Sequence, residues 1–166
     1  LSKEKMQAIQ SRDRAMLAIF YGCGLRRSEG VGLNVEDVNL DKGTLHVRQG
    51  KGKKARYVPM AGGTLSRIED YLCRWRPSLA ARDMGALMVS YQYKRLSGQG
   101  CLLRLKWLQA HSGDVSLMHK ELGLHSLRHS IATHLMGAGM PLGQVSRFIG
   151  HSSLESTQVY THLAGV

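Results

Sequence analysis

The chain has 166 residues, 43% of them apolar, enough for one domain with a hydrophobic core and too many for a disordered segment. No apolar run is long enough to cross a bilayer and no leader-like start is present, so a soluble, unsecreted protein is expected. Lys and Arg number 23 against 12 Asp and Glu, a net charge of +11 that points to a polyanionic partner, either nucleic acid or an acidic membrane surface.

In chain order, Ser2 is placed to cap a first helix that carries Glu4 in its opening turn. Asp13 is read as the cap of a second helix, with Leu17, Phe20 and Tyr21 on one face, and Gly22 and Gly24 end it. A short helix starts near Arg27 or Ser28. From Val38 to Met60 the runs VNL, TLHVR and ARYVPM, separated by DKG and a glycine-bearing turn, predict a small antiparallel sheet. Helix returns from Thr64 to Trp75 and stops at Pro77. LMVSY reads as a short strand and CLLRLKWLQ as a basic amphipathic helix. The last third predicts three helices: one over LHSLRHSIATHLMGAG, one opened by Pro141 and running through Ile149, and one over SLESTQVYTHL. The fold class is therefore mainly α with one small antiparallel sheet, α+β, in one domain spanning 1–166. Cys23, Cys73 and Cys101 are odd in number and widely spaced, which gives neither a zinc pattern nor a disulfide framework; buried, reduced thiols of a cytoplasmic protein are expected.

Four stretches carry candidate chemistry. In HSLRHSIATHL, His125 and Arg128 are three apart and share a helical face, an anion clamp or else a surface Arg beside a capping His. His129 is expected to point elsewhere, toward Ala132 and Leu135. His125 and His129 have the spacing of two zinc ligands, but Ser126 stands where a zinc-protease helix carries Glu, and no third ligand is indicated. In GCGLRRSEG, Glu29 lies three after Arg26 and can orient its guanidinium toward a phosphate, or form a surface ion pair of little worth. The run VRQGKGKKARYV holds Arg48, Lys51, Lys53, Lys54 and Arg56 within nine residues, a finger suited to a DNA backbone or a solvated turn. In IGHSSLESTQVYTHL, His151 precedes Tyr160 by nine positions. A Tyr hydroxyl with its free pKa of about 10 becomes a nucleophile only among cations; otherwise Tyr160 is a packing residue.

Together these stretches resemble the tyrosine recombinases, or phage-type integrases. Gly24-Leu25-Arg26-Arg27-Ser28-Glu29 matches the family's G-L-R-x-S-E motif, and Lys51 its hairpin Lys in G-K-G. His125 to Leu135 match H-x-L-R-H with its small-residue helix, and Gly150, His151, Thr157, Tyr160 and His162 match the closing motif. The resemblance implies site-specific DNA recombination and integration through a 3′-phosphotyrosyl intermediate. Tyr160 would attack the scissile phosphate, and Arg26, Arg128 and His151 would bind its oxygens. Lys51 would protonate the leaving 5′-oxygen, His125 would assist proton transfer or position the phosphate, and Glu29 would hold Arg26. Arg48, Lys53, Lys54 and Arg56 are expected on the DNA. No cofactor and no metal is implied, because guanidiniums take the metal's part.

The partner so implied is double-stranded DNA, with no membrane role. The resemblance also implies a homotetramer on DNA and a monomer in isolation, in a bacterial or phage-derived, cytoplasmic, nucleoid-associated setting. Ile149 stands in for the family's usual Leu. Gly30 replaces a larger apolar residue, which predicts a looser helix. The sequence starts at Leu1, where the family's catalytic domain usually begins, and ends six residues after Tyr160, so an amino-terminal DNA-clasping domain and most of a docking tail are expected to be absent. Two other readings remain: relaxation of DNA by a type IB topoisomerase, and a DNA-binding protein without catalysis.

Overall fold

Helix α1 (Lys3–Leu17) opens where expected, with Ser2 Oγ accepting the Lys5 N–H at 3.2 Å. The computed structural model to which it belongs describes residues 1–48, 55–80 and 84–150. Asp13 starts no second helix. The chain stays helical past it and widens into a π-helical turn at Ala18–Gly22. Asp13 is buried, and its two oxygens accept Arg12 Nη2 at 2.8 Å and Arg104 Nη2 at 2.7 Å. An aspartate favours a helix start only when its carboxylate is left to bond its own backbone, and here two guanidiniums claim it.

Helix α2 (Arg27–Val31) is followed by β1 (Val38–Asn39), β2 (Thr44–Val47) and β3 (Arg56–Pro59), antiparallel in that order. Leu45 pairs with Val58 and Val47 with Arg56. Alternation along the strands buries Leu45, Val47 and Val58 in the core. Lys51, Lys53 and Lys54, between β2 and β3, lie outside the described residues.

Helix α3 (Gly62–Glu69) continues through a π-helical stretch to Trp75 and a single 3-10 turn containing Pro77. Its buried Tyr71 donates to the Leu87 carbonyl at 2.7 Å and accepts from Val89 N–H at 3.2 Å. Arg76 donates to the carbonyls of Met84 (2.7 Å), Ala86 and Leu87. These bonds correct the reading of LMVSY as a strand. The segment is extended, but side chains satisfy much of its backbone, and among the described residues it makes only the isolated bridges Asn34 to Ala86 and Val89 to Arg95.

Helix α4 (Gly98–Ala110) is capped by Ser97 and buries Cys101, Leu105 and Gln109, yet Leu103 and Trp107 are exposed, so its apolar side is less one-sided than its sequence implies. A short α5 (Val115–Met118), capped by Asp114, was not foreseen. Helices α6 (Leu124–Gly137) and α7 (Leu142–Ile149) match expectation, Pro141 preceding α7 and left-handed Gly150 closing it. The main core packs α1, the sheet, α3 and the 84–89 segment, and Ala132, Met136, Val145 and Ile149 form a smaller cluster between α6 and α7. Cys23 and Cys101 are buried as expected, whereas Cys73 is exposed and does not meet that expectation. The mainly α fold with its three-stranded sheet is as predicted. Among the described residues no helix is long and apolar enough to cross a membrane.

Candidate active site

The start of α2 is built by a turn and a carboxylate. Gly24 adopts φ +64°, and a Cβ there would stand 3.2 Å from both Ile131 and Phe148, so the turn packs tightly on α6 and α7. Two residues later Arg26 caps α2. Its N–H donates to Glu29 Oε1 at 2.8 Å, and its Nη1 stands 3.6 Å from Glu29 Oε2. Glu29, expected to hold Arg26, touches it in this way and has a second, closer partner. Arg56 Nη1 reaches Oε2 at 2.5 Å and its Nη2 reaches Oε1 at 3.3 Å. Burial alone would raise the Glu29 carboxyl, but the hydrogen bonds from Arg56 and the Arg26 backbone, with both guanidinium charges, hold it below its ordinary value.

Arg56 was expected on DNA. Instead its side chain is only 12% exposed and turned inward to Glu29, and its Nε donates to the Phe148 carbonyl at 3.4 Å. Arg48, also expected on DNA, is half-exposed, and its Nη2 donates to the Gly32 carbonyl and to Asp37 Oδ2 at 3.0 Å.

Arg128 is buried on α6. Its Nη1 donates to the Gly24 carbonyl and its Nη2 to the Ile149 carbonyl, each at 2.6 Å. One guanidinium thus joins the turn before α2 to the end of α7. His151 and Tyr160 lie outside the described residues.

Arg26, His125 and Arg128 line one cleft of about 820 Å³, together with Arg27, Lys106 and His129. Arg26 and Arg128 are 102 positions apart, and the packing of α2 and α6 against the π-helical turn of α1 brings them to this cleft. His129 therefore does not point away from His125, contrary to expectation: four positions along a helix return to the same face. That spacing was the signal that would have found it, whereas nothing in the sequence marked Lys106. Burial, and secondarily the charge of His125, lower the His129 pKa from its ordinary 6.5. Four cations and two imidazoles against the single carboxylate Glu121 make the cleft a receptor for an anion with several oxygens. Among the described residues no three His, Cys, Asp or Glu side chains gather as a metal site needs.

Residues 2–165 match the phage integrase family. Tyrosine recombinase XerD of Pseudomonas putida is 41% identical over 159 residues, covering 95% of this chain and 52% of that protein. Tyrosine recombinase XerC of Pelotomaculum thermopropionicum is 39% identical over 164 residues, covering 96% and 52%. Among solved structures, the XerA recombinase superposes with a TM-score of 0.80 at 30% identity, covering 98% of this chain and 59% of that one. A post-cleavage complex of the XerH site-specific recombinase with palindromic difH substrate gives 0.78 at 27%, covering 99% and 44%. The chain spans about half the length of the curated relatives it matches.

Proposed function

Since the chain belongs to the phage integrase family of tyrosine recombinases, we propose that it supplies the cleavage and rejoining centre of a site-specific DNA recombinase. The observation that carries this reading is the meeting of Arg26, His125 and Arg128 in one cation-rich cleft. A DNA phosphodiester seated there gains charge on its non-bridging oxygens as the transition state forms, and fixed guanidiniums offset that charge most effectively when burial and backbone bonds hold them still.

Tyr160 is the nucleophile in this reading. Its hydroxyl proton is taken up with the help of His125 as its oxygen bonds to phosphorus and the bond to the 5′-oxygen breaks, leaving a 3′-phosphotyrosyl link and a 5′-hydroxyl once Lys51 donates a proton. His151 adds a hydrogen bond to the phosphate, and His125 assists proton transfer. The link keeps the phosphodiester's bond energy, so rejoining to a second 5′-hydroxyl needs no nucleotide. Residues 1–166 act as the catalytic domain, double-stranded DNA is the partner, four copies assemble on it, and Lys53 and Lys54 meet its backbone together with Arg48.

The test uses a pool of short duplexes randomised around a nick, placed so that the released 5′-hydroxyl fragment diffuses away. The chain is expected to form an SDS-resistant adduct that Tyr160→Phe abolishes. An adduct that survives Tyr160→Phe makes the nucleophile wrong, and relaxation of plasmid without site preference at low protein would favour a topoisomerase instead.

A further inference from the structure

Resting on the recombinase reading above, we infer that Arg56 is a positioning residue for cleavage, which fixes Arg26 through Glu29 and ties the α2 start to the backbone that enters His151. Arg56 opens β3 at the end of the basic hairpin, opposite Val47. Its guanidinium makes three connections from one rigid fork: both Glu29 oxygens and the Phe148 carbonyl. It also packs on the α7 terminus, since a Cβ at Gly150 would stand 2.7 Å from its Cζ and Nη1. Glycine at 150 is thus required twice, by its φ of +72° and by the guanidinium lying against it.

The consequence is a brace of two arginines across the same two segments. Arg128 joins Gly24 to Ile149, and Arg56 joins Glu29 to Phe148. Each arginine holds one end of the 24–29 segment and one of two successive carbonyls at the end of α7. The Glu29 carboxylate is divided between the largely shielded Arg56 guanidinium, which anchors it, and the more exposed Arg26, which lines the cleft. Loss of the anchor frees the carboxylate to rotate, and Arg26 loses its set orientation while keeping its charge. Lysine cannot substitute, because one ammonium has no planar fork to span a carboxylate and a carbonyl together.

Arg56→Lys, Arg56→Gln, Glu29→Gln and the double variant Arg56→Gln/Glu29→Gln are compared on the randomised nicked pool. DNA affinity and the rate of adduct formation at saturating DNA are read separately, with circular dichroism to confirm folding. Arg56→Lys and Arg56→Gln are expected to bind DNA nearly as the parent does and to lose about 100-fold in saturated rate, the scale of a small misplacement of a reacting group. The double variant is expected to lose no more than the worse single one, as coupled residues do. A loss confined to affinity would make Arg56 a DNA contact, and additive losses would uncouple it from Glu29; either overturns the inference. If Arg56→Gln does not fold, Arg56→Lys decides, and a parental saturated rate there is fatal to the idea. A parent chain that forms no adduct sinks the recombinase reading itself, whereas a competent parent with an undiminished Arg56→Lys sinks only the positioning role.

Discussion

Arg128 Nη2 donates to the Ile149 carbonyl at 2.6 Å, so the arginine proposed to bind the scissile phosphate also holds the backbone that leads to His151. The same side chain reaches Gly24, 104 positions earlier, through Nη1. The fold and the proposed chemistry would therefore share one group. Arg128→Ala leaves two buried carbonyls without their donors, at about 1–3 kcal/mol each. Urea unfolding should show a stability loss of about 2–4 kcal/mol on that basis. Adduct formation should fall by orders of magnitude while DNA affinity falls far less. Equal losses in affinity and rate would make Arg128 a binding residue only.

Gly30 was expected to loosen α2, and the structure gives the opposite. Phe20, from the π-helical turn, fills the space a side chain would take: a Cβ at residue 30 would lie 2.4 Å from Phe20 Cε1. Gly30 and Phe20 together occupy what one larger residue would occupy alone. Gly30→Ala is expected to destabilise by about 1–3 kcal/mol through overpacking. Phe20→Leu in the same chain should recover part of it, giving a non-additive cycle in thermal or urea unfolding. Strictly additive effects would show that the two residues do not share the space.

The elements were legible where the pattern is local. The DKG turn with alternating apolar residues marks β1 and β2, and Pro141 marks the start of α7. Arg26, His125 and Arg128 were legible because their motifs name them, and the structure brings all three to one cleft. What was not legible depends on partners far along the chain. Arg56 sits in a run that reads as a basic finger for DNA or a solvated turn, and only the fold reveals Glu29, 27 positions earlier, as its partner. Asp13 looks like a helix cap until Arg104, 91 positions away, is placed beside it. LMVSY has strand composition, but Tyr71 and Arg76 take up carbonyls that a neighbouring strand would otherwise pair.

His129 gives a pH prediction. Burial first, and the charge of His125 second, place its folded pKa below the ordinary 6.5. The unfolded chain therefore takes up a proton before the folded one does. His129 is neutral in the fold at neutral pH, and its contribution works against stability as pH falls through 6.5 toward the lower folded value. A histidine titration followed by NMR should put the His129 midpoint below 6.5, and His125→Gln should move it up only partway, because burial remains. A midpoint at or above 6.5 would show that the imidazole is hydrated and the cleft more open than its geometry gives.

Asp13 separates a buried charge network from a surface one. Its carboxylate is shared between Arg12, which is 2% exposed, and Arg104, whose side chain is 28% exposed, and the Arg12 Nη1 is further tied to the Val89 carbonyl at 3.2 Å. Asp13→Ala strands the Arg12 charge in the core, a change that costs about 3–5 kcal/mol where a buried ion loses its partner. Arg104→Ala leaves the Arg12–Asp13 pair intact and should cost only about 1 kcal/mol, as a partly solvated pair does. Urea unfolding of the two variants checks the difference. Equal losses would mean that solvent reaches Arg12 as readily as Arg104, and that α1 and α4 are joined by apolar contact with no net contribution from the carboxylate between them.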